Sequence, residues 1–172
     1  MPGWFEDHFN NMLRYDRMTC TGVLVGTESN GEVRRAGLVG REINYVPTSG
    51  DLRKLLDGLI LCGEAFFKEN AECVIPNTFD YYEYTDASEL SKLYERVKDS
   101  SDITIGTGHP QGGNILSANP DLGVVDPQFK AYGYDNLFVC DASVFPSSLG
   151  VNPQLTVMAL ADYAVPFIAD CK

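Results

Sequence analysis

The amino-acid sequence predicts a mixed α/β fold, and three observations carry that reading. One long stretch, Leu52 to Phe67, keeps helical spacing of its apolar residues. Short apolar runs bounded by Gly, Pro, Asn and Asp occupy residues 103–140, a pattern that suits strands joined by tight loops. A nearly all-apolar stretch then follows Asn152-Pro153 and reads as a terminal helix. The chain has 172 residues, enough to build a real core. Its character changes after Ser100, which divides it into segments 1–102 and 103–172.

Taken in order, residues 1–19 are aromatic and mixed in charge, without a clear period. Thr21 to Thr27 and Val33 to Val39 flank Glu28-Ser29-Asn30-Gly31, and Asn-Gly between two such runs predicts a hairpin turn. Ile43 to Val46 reads as a further short strand closed by Pro47. Ser49 is the expected cap of the helix whose inward face holds Leu52, Leu55, Leu56, Leu59, Ile60, Gly63, Phe66 and Phe67. Glu72 to Ile75 is a candidate strand ending at Pro76, and a more polar helix is expected over 86–98, with Leu90, Leu93, Tyr94 and Val97 inward. The runs Ile103 to Ile105, Gly123 to Val125 and Asn136 to Cys140 are the expected strands of the second segment. The terminal helix runs from Asn152-Pro153 to about Ala164, with Pro166 disturbing its end. A helix apolar on most faces has to be buried by other structure, more than this chain alone supplies.

Composition excludes several function classes. The net charge of −11 argues against nucleic acid or an anionic membrane as partner. No run of about 20 apolar residues occurs, so no transmembrane segment is expected. Residues 1–7 lack the basic and apolar regions of a signal peptide. Cys20, Cys62, Cys73, Cys140 and Cys171 form no CxxC pair, so no metal site is expected. Five reduced thiols point to a cytoplasmic protein.

Two polar residues stand in settings suited to chemistry: His109, within Gly106-Thr107-Gly108-His109-Pro110-Gln111-Gly112-Gly113-Asn114, and Asn152, within Gly150-Val151-Asn152-Pro153-Gln154-Leu155-Thr156. A neutral histidine accepts a proton near physiological pH. Glycines at 106, 108, 112 and 113 let backbone approach a planar ligand closely. A helix opening at Pro153 turns its free amides and positive dipole end toward whatever precedes it, which favours an anion. Each feature also has an ordinary explanation. Asn followed by Pro is a normal helix start, His before Pro is a common turn, and Asp141-Ala142-Ser143 reads equally as a strand-end turn.

Four ordered motifs add a resemblance: His109 to Asn114, Gly123-Val124-Val125-Asp126, Tyr132 to Pro146 containing Cys140-Asp141-Ala142-Ser143, and Gly150 to Thr156. Together they resemble the C-terminal signature of glucose-methanol-choline (GMC) flavoprotein oxidoreductases, over about residues 103–168. The His-Pro-x-Gly-Gly and Gly-Val-Asn-Pro forms are most similar to the cholesterol oxidase and long-chain alcohol oxidase branch, although Gln111 stands where an apolar residue is more usual. The resemblance implies a substrate-domain segment over 1–102 and, over 103–172, the C-terminal strands and helix of an FAD-binding domain. It implies that His109 is the active-site base and that Asn152 holds the substrate oxygen. Asp141 and Ala142 would meet the diphosphate-ribityl part of FAD, and Asn152, Pro153 and Gln154 its pyrimidine edge. The implied reaction is oxidation of a small-molecule alcohol, with hydride passing to flavin N5.

No GxGxxG fingerprint following a strand occurs in the chain, so the Rossmann-type half that would hold the FAD diphosphate is missing. The expected protein is therefore one portion of a split or cleaved enzyme, completed by a second polypeptide carrying that half. The alternatives are a non-catalytic truncated relative acting as scaffold or interaction subunit, and a simple fragment.

Overall fold

A computed structural model describes residues 3–28, 30–38 and 40–171. Among these, four helices and one two-stranded antiparallel sheet make a mixed α/β architecture, as the sequence predicts. Contacts divide the chain into two compact units: Met1–Val25 with Pro47–Gly106, and Gly26–Val46 with Thr107–Lys172.

The first unit is organised by α2 (Ser49–Lys68). Its cap is Thr48 rather than the expected Ser49: the Asp51 amide donates to Thr48 Oγ1 at 3.1 Å and the Thr48 amide donates to Asp51 Oδ2 at 3.2 Å. This reciprocal pair satisfies two amides that a helix start otherwise leaves open. Leu52 and Leu56 are buried against Tyr84, Leu90, Leu93, Val97 and Ile103, with Leu55, Leu59, Ile60 and Phe67 packed around them. That matches the face read from spacing. The predicted helix over 86–98 is present in a different form, a 3₁₀ helix Ala87–Lys92 followed by one α-turn, α3 (Leu93–Arg96). Local side-chain bonds compete with helix extension here. The Ser88 amide donates to Asp86 Oδ1 at 2.8 Å, and the Lys98 amide donates to Asp102 Oδ2 at 2.7 Å, taking the chain off the helix axis. The candidate strand at 72–75 reduces to a bridge between Val74 and Tyr84.

An unforeseen helix, α1 (Phe5–Leu13), opens this unit. It is tied down by Arg14, whose guanidinium donates to Glu83 Oε2 at 2.7 Å, to Asn11 Oδ1 at 2.7 Å and to the Tyr81 hydroxyl at 3.1 Å.

The second unit contains the sheet, β1 (Glu32–Ala36) and β2 (Gly40–Asn44). The hairpin thus turns at Gly37, not at the predicted Asn30-Gly31, and residues 21–27 form no strand. Gly37 supplies the left-handed conformation (φ 61°) that a tight turn needs, whereas Gly31 does not have a positive φ. Asn30 instead donates its side-chain amide to the Val46 carbonyl at 2.8 Å. Val39, which the predicted strand included, lies outside the described residues.

The core of this unit is Val125, Phe129, Ala131, Val144, Phe145 and Ala164. The apolar runs expected as strands are joined by single bridges, Leu116 with Val125, Val125 with Ala131, and Lys130 with Phe138. The terminal helix α4 spans Gln154–Ala169 and continues through Pro166 instead of ending before it. Ala164, Val157, Leu160 and Phe167 pack on the core. In line with the expectation that this chain alone does not bury the helix on every side, Leu155 (80% exposed), Met158, Val165 and Ile168 face outward.

Candidate active site

The His109 loop is held by a ladder of backbone bonds to the segment after Asp141. The amides of Gly112, Asn114 and Leu116 donate to the carbonyls of Ala142, Ser143 and Val144 at 3.1, 3.0 and 3.0 Å. This ladder runs through Gly112 and Gly113, whose φ values of 81° and 109° are accessible to glycine at little cost. Side chains reinforce it: Asn114 Nδ2 donates to Ser143 Oγ at 3.0 Å, and the Ser143 amide donates to Asp141 Oδ1 at 2.8 Å. The Ser143 hydroxyl and amide together hold the Asp141 carboxyl below the ordinary aspartate range.

His109 itself is half-buried, with its backbone amide donating to Thr107 Oγ1 at 3.0 Å. Asn152 is exposed and Pro153 buried. Among the described residues, neither the His109 ring nor the Asn152 side chain makes a hydrogen bond, so both are free to engage a ligand. Asn152 does not cap α4; the residue preceding its first turn is Pro153, and no side chain caps the helix. The first amides of α4 are therefore left without a side-chain acceptor, beginning at Gln154.

The residue that sequence reasoning missed is Gln111. Its Oε1 accepts the Leu149 amide at 3.1 Å, joining the His109 loop to the loop that leads into Gly150-Val151-Asn152. The departure from an apolar residue at this position was the available signal, since a half-buried amide in a loop needs a backbone partner. Two surface hollows, lined by Glu64, Phe67, Lys68, Ala87 and Ser88 and by Phe5, Glu6, Phe9 and Asn10, contain none of the candidate residues. Among the described residues no group of His, Cys, Asp or Glu could hold a metal ion, and no helix is long and apolar enough to cross a membrane.

Comparison with known proteins places this geometry in context. Residues 28–161 match the family described as GMC oxidoreductase. A cholesterol oxidase of Acinetobacter baumannii is 45% identical over 62 residues, covering 36% of this chain and 11% of that protein. A cholesterol oxidase of Mycobacterium tuberculosis is 41% identical over 58 residues, 34% of this chain and 10% of that protein. The long-chain-alcohol oxidase FAO3 of Arabidopsis thaliana is 27% identical over 168 residues, 90% of this chain and 22% of that protein. The chain thus spans between about a tenth and about a fifth of the length of these relatives. With the family match covering both motif loops and the ladder that holds them, the chain belongs to the GMC oxidoreductases, of which it comprises a C-terminal portion.

Proposed function

We propose that this chain is the C-terminal portion or subunit of an FAD-dependent alcohol oxidoreductase, active when completed by a polypeptide carrying the FAD fingerprint. The observation that carries the reading is the frame built by the ladder and by Gln111, which fixes both the His109 and Asn152 loops within one unit.

The residues present fit part of a flavin site. A Cβ built on Gly108 or Gly113 would meet nothing within 4 Å, so the backbone on either side of His109 is open to a ligand at these two positions. The uncapped start of α4 offers amides and a positive dipole end to an anionic ring edge. A diphosphate cradle is not among these residues, which is the portion the second polypeptide would supply. The outward apolar residues of α4 (Leu155, Met158, Val165, Ile168) support such a partner, because several large apolar side chains exposed on one side of a helix mark a contact surface.

Bound FAD supplies the acceptor for the hydride that leaves the carbinol carbon. The His109 ring nitrogen takes the hydroxyl proton of the alcohol. Asn152 Nδ2 donates a hydrogen bond to the developing alkoxide oxygen. Asp141 and Ala142, at the start of the 3₁₀ turn Ala142–Val144 that faces the His109 loop across the ladder, would hold the ribityl-diphosphate portion, and Pro153 and Gln154, at the start of α4, would face the pyrimidine edge. The small-molecule alcohol is of the class acted on by the relatives named cholesterol oxidase and long-chain-alcohol oxidase. We place the enzyme in the cytoplasm, with its five cysteines free.

The visible spectrum of the purified protein tests this. Flavin absorbance together with a co-purifying second polypeptide is the expected result. A colourless, monodisperse monomer that stays folded alone would overturn it and leave the scaffold reading.

A further inference from the structure

The hairpin β1–β2 belongs to the same compact unit as His109 and Asn152, and it has two chemically distinct faces. In an antiparallel pair, directly opposed residues project to one side and alternate along the strand. Arg34 opposes Glu42, and Glu32 opposes Asn44; Arg34 also pairs with Glu32 at 2.6 Å. That face is polar, its one arginine set between two carboxylates, and carries a net charge of −1. On the other face Val33 opposes Ile43, and Arg35 opposes Arg41.

This second face has no account within the chain. Val33 and Ile43 are 66% and 77% exposed, although they form a cross-strand aliphatic pair of the kind that normally lines a core. Arg35 and Arg41 are like charges placed directly opposite, a destabilising arrangement. Arg35 reaches only the Leu38 carbonyl, at 3.4 Å, and neither arginine has an ion-pair partner among the described residues. An isolated two-stranded hairpin is at best marginal in water, so a layer on one face is what makes it persist. The chain as a whole carries a net charge of −11, yet this face presents only positive charge.

We infer that the Val33/Ile43/Arg35/Arg41 face docks a segment of the completing polypeptide in which apolar side chains cover Val33 and Ile43 and carboxylates engage Arg35 and Arg41. The source of the segment follows from length: FAO3 matches 90% of this chain yet only 22% of itself is covered, so most of such a protein has no counterpart here. The proposal rests on the reading that a second polypeptide completes the fold. Its test involves no flavin, so the two can fail separately.

A labelled peptide of alternating glutamate and isoleucine, titrated with the full chain and followed by fluorescence anisotropy, probes the face directly. The expected result is saturable binding, weakened at least about tenfold for a lysine-isoleucine peptide and for the Arg35→Glu/Arg41→Glu variant. Val33→Ser/Ile43→Ser weakens it as well, while Glu42→Gln on the opposite face leaves it unchanged. Circular dichroism of each variant checks that the chain remains folded. Equal binding of the two peptides, no binding, or an equal loss from Glu42→Gln would overturn the proposal. So would sedimentation showing a dimer that Arg35→Glu/Arg41→Glu dissolves, since a second copy would then occupy the face.

Discussion

A proton acceptor in a glycine-dense loop works only if something other than its own backbone fixes it. For His109, the proton acceptor we propose, the ladder to Ala142, Ser143 and Val144 and the Gln111–Leu149 bond provide that restraint, and its ring makes no hydrogen bond among the described residues. His109→Ala in the assembled enzyme should lower turnover by roughly 10²–10⁴-fold, the usual worth of a general base. Steady-state kinetics showing unchanged turnover would remove His109 from that role. Glu83 makes a second residue-scale prediction, about stability. The Arg14 guanidinium, through its hydrogen bonds, holds the Glu83 carboxyl down to about 2 from an ordinary 4.5. Because the folded value is the lower one, the stabilisation is complete above the unfolded value and is lost as pH falls through the folded one. Both side chains are about 30% exposed, so screening limits the contribution to about 1 kcal/mol. Glu83→Gln should therefore be less stable than the parent by that amount at pH 7, with the gap closing between about pH 4.5 and 2 in denaturant titrations. At this scale residue types were legible and partners were not. His109 and Asn152 stood out through their neighbours in sequence, whereas Arg14–Glu83 and Gln111–Leu149 join residues 69 and 38 positions apart, which no local pattern reveals.

Elements were legible in proportion to how local their determinants are. The α2 helix carries its own periodicity and capping box, so its extent and inward face followed from the sequence, with the cap displaced by one residue to Thr48. The hairpin did not follow, because the strands flanking Gly37, Glu32–Ala36 and Gly40–Asn44, are rich in charge and carry no apolar run to mark them, whereas Asn30-Gly31 offers the stronger turn signal. The expected strands of residues 103–140 shrank to bridges, since Gly, Pro and Asp recur too often for a longer ladder. Within α2, Gly63 approaches the 3₁₀ helix closely: a Cβ there would lie 2.8 Å from Leu90 Cδ1, and Leu90 is fully buried. Gly63→Val should cost about 1–3 kcal/mol through overpacking, despite the better helix propensity of valine. The midpoint of denaturant unfolding reads this directly, and a stabilised variant would show that Leu90 can move aside.

For the whole molecule, apolar exposure and charge oppose each other. The outward side of α4 exposes Leu155 and Met158 at 80% and 59%, and contact between copies would bury it. The net charge of −11 keeps copies apart at neutral pH. The sequence foretold that the terminal helix needs covering, but not which of its faces the chain itself covers, because that depends on the distant contacts of Ala164 with Val125 and Phe129 in one core. The two tendencies separate with pH. Near the sequence pI of about 4.5 the repulsion vanishes while the apolar stripe remains. Light scattering of the chain alone should show a constant hydrodynamic radius at pH 8 and a rising one as pH approaches 4.5. Leu155→Glu/Met158→Glu should suppress this rise even at pH values where the whole chain is close to neutral. If the variant associates as readily as the parent, α4 is not the surface through which copies meet, and its apolar side loses its standing as the place where a second polypeptide docks.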